Sequence, residues 1–189
     1  MFDKIPGTLL TFKEGMEHNA FAPLETVLSA TKGLTLGQVS EITGLAGSTV
    51  QNWIKRGWVA NPKDKRYGET QVIRIILMNM LRPALSLETI AALMEYINGS
   101  VEDREDDIIP DRLLFNYLCA VIYAADKSGT TDRNELISLI ENEIEDFTRD
   151  GELDKMRLQN VLLCMTLSYL SAEMKQRAET EIQKTLQSE

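Results

Sequence analysis

The stretch STVQNWIKRGWV, residues 48–59, decides the fold of the first half of this chain. Its apolar members Val50, Trp53 and Ile54 fall on one side of a helix, whereas hydroxyl, amide and cationic side chains fall on the other. Such a helix either reads a nucleic acid or simply fills a core with its aromatic side. Because Trp53 lies on the apolar side, we assign it to the core in both cases.

A shorter helix is predicted immediately before this stretch. Leu36, Val39 and Ile42 recur at a spacing of three residues, which is typical of one helix face. Thr35 is placed to cap the start of that helix, and Gly44 is placed to end it in the left-handed conformation. Two short helices separated by the turn GLAG indicate a helix-turn-helix.

Ser48 or Thr49 is predicted to cap the second of these helices. The segment VANPKDKRYG, residues 59–68, then supplies turn-forming residues between short extended pieces, which predicts a small β hairpin or wing. The apolar run at 69–81 predicts a central helix, and an amphipathic helix follows over 87–97.

The rest of the chain is also predicted to be helical. Residues 111–128 form a helix of the buried type, a second helix runs from a cap at Asp132 to a stop at Gly151, and residues 153–186 form one long helix. The fold class is therefore mainly α, with a winged helix-turn-helix head, a small β wing and an all-helical C-terminal domain.

Composition suggests where the domains divide. The stretch SVEDREDD has five acidic residues and almost no apolar content, which is typical of a solvated boundary. We therefore predict four parts, namely an arm with a short helix (1–33), the head (34–99), an acidic linker (100–110) and a helical domain for dimerisation or effector sensing (111–189).

A thin apolar stripe runs along the second half of the last predicted helix. Its members Met174, Ala178, Ile182 and Leu186 recur at a spacing of four residues. We interpret the stripe first as a contact with a neighbouring helix of the same chain. A seam between two copies is the alternative, although the alternation of four and three that a supercoil needs is not sustained.

Charge is unevenly divided along the chain, whose formal net charge is −9. Residues 1–100 carry ten basic and nine acidic side chains, whereas residues 101–189 carry ten and twenty. Residues 35–82 hold seven basic side chains against three acidic ones. A basic island thus sits on an acidic body, a pattern that favours an anionic partner for the head.

The sequence offers little material for catalysis. It has no GxSxG, HExxH or P-loop motif, and its single histidine, His18, has no recognisable partner. Cys119 and Cys164 lack metal-ligand spacing, so buried and unreactive thiols are the favoured interpretation, with a redox or soft-metal sensor as the alternative. We expect no enzyme activity, no metal and no cofactor.

Nothing in the sequence indicates a membrane or an export signal. The longest nearly apolar run, LLFNYLCAVIYAA, has 13 residues, against the ~20 that span a bilayer. We expect a cytoplasmic protein that is nucleoid-associated when bound to DNA.

The outward face of the helix in residues 48–59 carries the candidate DNA-reading groups. Glutamine and asparagine can pair bidentately with adenine in a major groove, while hydroxyl and cationic groups can hold phosphates. The predicted face consists of Ser48, Thr49, Gln51, Asn52, Lys55 and Arg56, and the predicted wing adds Lys63, Lys65 and Arg66.

The segment from LGQVSEITG to LETIAALM, residues 36–94, resembles the winged-helix DNA-binding head of the MerR family of transcription regulators. The family pattern has an IGEVA-type helix, a Gly-Val/Leu turn, a Thr-Ile/Val-Arg-Tyr-Tyr recognition helix, a Gly-Leu-Leu exit and an Arg-Tyr wing. The matching positions are Leu36 to Ile42, Gly44-Leu45, Thr49 to Trp53, Gly57 to Val59 and Arg66-Tyr67. The resemblance implies that Thr49, Gln51, Asn52, Lys55 and Arg56 face DNA and that the wing from Lys63 to Tyr67 touches the backbone.

The sequence also departs from that family. Gln51 and Asn52 replace the usual Arg and first Tyr, and an acidic helical domain replaces the family's simple C-terminal coiled coil. The whole chain is closer to an uncharacterised bacterial family in which a MerR-like head is joined to such a domain.

These observations predict a sequence-specific transcription regulator that binds double-stranded DNA, as a homodimer because one head has few base contacts. A small-molecule or protein effector is expected at the C-terminal domain. The alternative is a protein-interaction adaptor that keeps the winged-helix scaffold without reading DNA.

Overall fold

The computed structural model describes residues 3–99, 107–147 and 151–187. Within these ranges the chain forms eight helices and no strand longer than an isolated bridge. The helices are α1 (Ala22–Thr31), α2 (Leu36–Thr43), α3 (Gly47–Lys55), α4 (Glu69–Leu81), α5 (Leu87–Asn98), α6 (Asp111–Ser128), α7 (Arg133–Glu143) and α8 (Glu152–Gln187). The prediction of a mainly α fold is confirmed.

The predicted helix ends around α2 are confirmed by their caps. The Thr35 hydroxyl accepts a hydrogen bond from the Gln38 amide, and the Gln38 side chain accepts one from the Thr35 amide, which completes a capping box. At the other end Gly44 is left-handed, with φ 71°. Two orphan amides are therefore satisfied locally, so α2 can hold its orientation toward α3.

Helix α4 lies at the centre of the protein, as its apolar sequence predicted. Nearly all of its residues are buried, among them Ile73, Ile75 and Ile76, none of which is exposed to solvent. It packs against α2 and α5 on the head side and against α6 and α8 on the C-terminal side. One hydrophobic cluster consequently extends from the arm through α4 to α8.

The N-terminal arm docks on this central helix. Residues 4–11 form a tight reversal in which the Ile5 amide donates to the Leu10 carbonyl over 2.9 Å, and Ile5 is fully buried. A Cβ on Gly7 would lie 2.5 Å from the Ile76 carbonyl oxygen, so only glycine allows this approach. The Asn79 amide then donates to the Gly7 and Thr43 carbonyls and joins arm, α2 and α4.

The predicted β wing is not formed as strands in the part of the chain that the structure describes. Residues 63–66 make a two-residue turn closed by one bridge between Lys63 and Arg66. Asp64 and Lys65 both have positive φ, 51° and 61°, as a type I′ turn requires. The ladder does not continue beyond this bridge, and the backbone of Tyr67 instead exchanges two hydrogen bonds with Leu34.

Three helices complete the protein after the acidic stretch. Asp132 caps α7 by accepting from the Asn134 and Glu135 amides, but α7 ends at Glu143, so the prediction that this helix continues to Gly151 was wrong. The last helix is continuous from Glu152 to Gln187, in agreement with the prediction of one long helix.

The predicted linker, 100–110, falls mainly outside the described residues, but its two flanks are joined directly. The buried Asn98 side chain donates to the Ile109 carbonyl over 2.7 Å and to Asp111 Oδ1 over 3.1 Å, and it accepts from the Ile109 amide. The end of α5 is therefore fixed to the start of α6 by an amide that is only 3% exposed.

The apolar stripe on α8 is not covered by another helix of this chain among the described residues. Met174 is 58% exposed, Ile182 57% and Leu186 71%. The first interpretation, a contact within the same chain, was therefore wrong for these side chains.

Candidate nucleic-acid interface

Helix α3 presents the predicted polar face to solvent. Val50 and Trp53 are buried, which orients the helix and confirms the placement of Trp53 in the core. Turning the apolar side inward leaves the opposite side free because helical residues three and four apart share a face. Ser48, Gln51, Asn52, Lys55 and Arg56 are exposed, and Thr49 is half-buried.

The start of α3 differs from the prediction by one residue. The helix begins at Gly47 with Ala46 in the cap position and no side-chain cap, so Ser48 and Thr49 are not the predicted caps. The reason is packing against α2, because a Cβ on Gly47 would lie 3.1 Å from a methyl carbon of Leu36. The hydroxyl groups of the first turn are therefore not used as caps.

Arg56 lies at the C-terminal end of α3 with two neighbours of its own chain. Its guanidinium is 3.3 Å from a carboxylate oxygen of Glu88 on α5, and it stacks over the Trp58 ring at 5.0 Å from the centroid. The two side chains of the ion pair are 53% and 67% exposed, so water screens the pair and the attraction is weak. Arg56 remains accessible, but its charge is partly offset.

The turn at 63–66 carries three further cations. Lys63, Lys65 and Arg66 are all exposed. Arg66 also donates to the Gly33 carbonyl over 2.9 Å, which fixes the turn to the connection between α1 and α2. The turn therefore holds three exposed cations in a fixed place, although it lacks the predicted strands.

Tyr67 belongs to the core and not to the surface. Its side chain is 3% exposed, and burial raises the pKa of its phenol above the ordinary value. Its backbone exchanges two hydrogen bonds with Leu34, of 2.8 and 2.9 Å. Tyr67 therefore anchors the turn from beneath and offers little surface to a nucleic acid, in contrast to its implied role.

Arg74 is likewise removed from the basic island. It is 4% exposed, and its Nε donates to the Trp58 carbonyl over 2.7 Å. The counting of cations along the sequence could not distinguish this internal arginine from the surface ones.

An open groove lies between the start of α3 and the connection from α4 to α5. Ser48 and Asn52 line one side, and Arg82, Ser86 and Glu88 line the other. Arg82 is exposed and adds a cation, whereas Glu88 adds an acid. No local pattern predicts this grouping, because Arg82 and Ser86 follow α4 and meet α3 only through the tertiary fold.

Two acidic side chains near the head, Glu25 and Glu69, face away from this surface. Glu69 faces Arg112 of α6, with 3.7 Å between its carboxylate and the guanidinium, and Glu25 pairs with the same arginine. The exposure of the candidate cations means that the acidic C-terminal helices do not cover them. Asp64, within the turn, is the acid nearest to them in sequence.

Catalytic, redox and metal-binding roles have less support than nucleic-acid binding. His18 does have a partner, since its Nδ1 lies 2.9 Å from a Glu143 carboxylate oxygen. Cys119 is fully buried, which raises the pKa of its thiol well above the ordinary value, whereas Cys164 is exposed and the two are not bonded. Among the described residues no group of three or more His, Cys, Asp or Glu side chains could hold a metal ion.

None of the helices in the described ranges is both long and apolar enough to cross a bilayer.

Comparison with known proteins shows that part of the chain is similar to a family of unknown function. Residues 25–117 match the family model described as domain of unknown function (DUF1836), from within α1 to within α6. The chain is also 24% identical over 154 residues to the uncharacterized protein YkrK of Bacillus subtilis (strain 168), a match that covers 76% of this chain and 66% of that relative. The chain thus spans just under two thirds of that relative's length. No solved structure matches the chain.

The sequence predicted two resemblances, one to the MerR regulators and one to an uncharacterised bacterial family. These matches support the second. They give no support for membership of the MerR regulators. The match to the DUF1836 model covers just under half of the chain and extends beyond Gly99 into α6.

Proposed function

We propose that this chain is a sequence-specific DNA-binding transcription regulator whose head is built like the MerR head. The observation that carries the proposal is the exposed face of α3, on which Gln51 and Asn52 project between hydroxyl and cationic groups. These amides can read adenine edges in the major groove.

The cations around that face supply the attraction to phosphate. Lys55 and Arg56 lie at the C-terminal end of α3. Lys63, Lys65 and Arg66 project from the turn at 63–66 of the same head. Cations of this kind give affinity and register without base specificity. The amides and cations together provide both parts of a duplex-binding surface.

The protein acts as a homodimer in this proposal. One α3 offers two amide side chains to base edges, which specify too few base pairs for a useful site. A two-fold axis doubles the contacts and predicts a palindromic operator with half-sites one helical turn apart. An effector at the C-terminal helices would act by changing the separation of the two heads.

Selection from a random duplex library with the full-length protein tests this function and supplies the operator. Binding of the selected duplex and of a scrambled duplex is then measured by fluorescence anisotropy across a salt series. The double variant Lys63→Ala/Lys65→Ala should weaken both duplexes alike and reduce the salt slope by roughly one per removed cation.

The amide variants test base reading separately. Gln51→Ala and Asn52→Ala should each cost about 1–3 kcal/mol on the selected duplex and leave the scrambled duplex nearly unchanged. Lys13→Ala/Lys127→Ala, which removes two exposed cations outside the head and outside α8, is the matched control and should change neither duplex. Absence of salt-dependent duplex binding by the full chain would refute the proposal.

A protein-interaction adaptor is the second candidate. It is favoured by the contacts of Arg56 with Glu88 and of Arg66 with Gly33, because these arginines already have partners within the head. The adaptor would show no salt-dependent duplex affinity in the same assay.

A further inference from the structure

One line of side chains on α8 faces solvent along nearly the whole helix. The line lies opposite the face that packs on the body, and its members follow at spacings of three or four residues. We call it the α8 seam, and it consists of Leu153, Met156, Asn160, Cys164, Leu167, Ser171, Met174, Ala178, Ile182 and Leu186.

The seam carries no charge at any of its positions. In addition, no charged residue of any kind occurs between Arg157 and Glu173. A helix face that remains in water usually carries Lys or Glu, yet here Leu167 is 38% exposed and Met174 is 58% exposed. Apolar exposure that continues along one helix indicates a surface that is covered in the working protein.

The end of α8 extends beyond the body. Every residue from Met174 to Gln187 is exposed, and Arg177, which pairs with Asp126 of α6 over 3.0 Å, marks the point beyond which α8 leaves the body. Isolated helices of ~12–15 residues are marginal in water, so this end needs a partner surface to be stable.

The charge of α8 favours a second copy of this chain as the partner that covers the seam. The whole chain has a formal net charge of −9, so the long-range electrostatic force between two copies is repulsive. Helix α8 is different, because its five acidic residues and five basic residues give a net charge of zero. Two pairs within the helix, Lys175 with Glu179 at 3.9 Å and Lys184 with Glu181 at 2.7 Å, further neutralise its end.

The seam is also complementary to itself in shape. Large side chains such as Met156, Leu167 and Met174 alternate with small ones such as Cys164 and Ser171. Knobs of one copy can enter the holes of the other, as in paired helices generally. A helix of ~50 Å lined in this way offers an area on the order of the ~800 Å² per partner found in stable complexes.

We propose that the α8 seam is the surface at which two copies of this chain pair. The inference rests on the homodimer of the proposed function and does not depend on DNA reading. The body of each copy then lies outside the paired helices, and the heads remain free.

Light scattering after size exclusion, with the full-length protein at micromolar concentration, tests the pairing. The wild type should show about twice the chain mass of 21.3 kDa. Met174→Glu/Ile182→Glu should raise the dimer dissociation constant by at least about a hundredfold, because each copy then buries two unpaired charges. Gln176→Glu/Thr180→Glu adds the same charges on the other side of the helix, three or four residues from no member of the seam, and should remain dimeric.

Thiol reactivity gives a second readout. Cys164 lies in the seam, whereas Cys119 is fully buried. In the absence of DNA, a maleimide should label Cys164 about tenfold faster in the monomeric variant than in the wild type, and Cys164→Ser should abolish that labelling. Circular dichroism should show unchanged helicity of the body in each variant.

Two results would overturn the proposal. One is a wild type that stays monomeric at these concentrations, which means that a different molecule covers the seam. The other is a dimer that survives Met174→Glu/Ile182→Glu or labels Cys164 at the monomer's rate. A wild-type protein that is dimeric but binds no duplex DNA would contradict only the proposed function and not the pairing.

Discussion

Glu88 is the one acidic side chain in the groove beside α3, and it faces Arg56 at 3.3 Å. A phosphate that approached Arg56 would have to compete with this carboxylate and would also be repelled by it. Because both partners are well exposed, the competition is mild and depends on salt.

Replacement of Glu88 by Gln therefore tests whether this carboxylate limits DNA affinity. We expect Glu88→Gln to tighten duplex binding roughly two- to fivefold at low salt, with the gain fading at high salt as screening increases. Anisotropy with selected and scrambled duplexes measures the change, and Glu95→Gln, on the same helix, is the control. An unchanged affinity at low salt would mean that Arg56 does not contact phosphate.

Arg74 has a structural role instead. We expect Arg74→Met to lower the free energy of unfolding by about 2–3 kcal/mol, because it leaves the Trp58 carbonyl without its charged donor. Urea denaturation measures the loss. Arg82→Met, at an exposed position, should stay within about 0.5 kcal/mol of the wild type.

The sequence predicted the surface of α3 better than its surroundings. Helical periodicity alone oriented Gln51 and Asn52 outward, because burial of Val50 and Trp53 leaves only one face free. Periodicity could not reveal that Arg74 and Tyr67 are internal, since their burial depends on contacts with Trp58 and Leu34. Polar residues that are buried through tertiary contacts carry no local signal.

At the scale of elements, caps and glycines located most helix boundaries. Thr35 and Gly44 mark the two ends of α2 as predicted, and Asp132 marks the start of α7. Gly151 was misleading, because it precedes α8 instead of ending α7. A glycine in a short connection is consistent with either role, so the pattern alone could not decide.

The joint between α5 and α6 depends on a single amide. We expect Asn98→Ala to lower the free energy of unfolding by about 2–4 kcal/mol, because it leaves the amide and carbonyl of Ile109 unsatisfied in a buried place. Thermal and urea unfolding followed by circular dichroism measure the loss. Asn142→Ala, on the exposed side of α7, should have almost no effect. An equally small effect for Asn98 would show that water replaces its bonds.

At the scale of the whole molecule, the shared core argues against independent halves. Helix α4 packs on both the head and the C-terminal helices, and one hydrophobic cluster includes residues from both. We expect the full-length protein to unfold in a single calorimetric transition whose calorimetric and van't Hoff enthalpies agree. Two separate transitions would instead support the division near Gly99 that composition suggested.

The packing of α4 between two sets of helices has a consequence for signalling. Packed interiors are as dense as organic crystals and absorb little displacement. Helix α4 packs against α6 and α8 on one side and against α2 on the other. No loosely packed layer therefore lies between these helices that could absorb a shift of α6 or α8. Any ligand that moves α6 or α8 against α4 should therefore also move α2, and with α2 the polar face of α3.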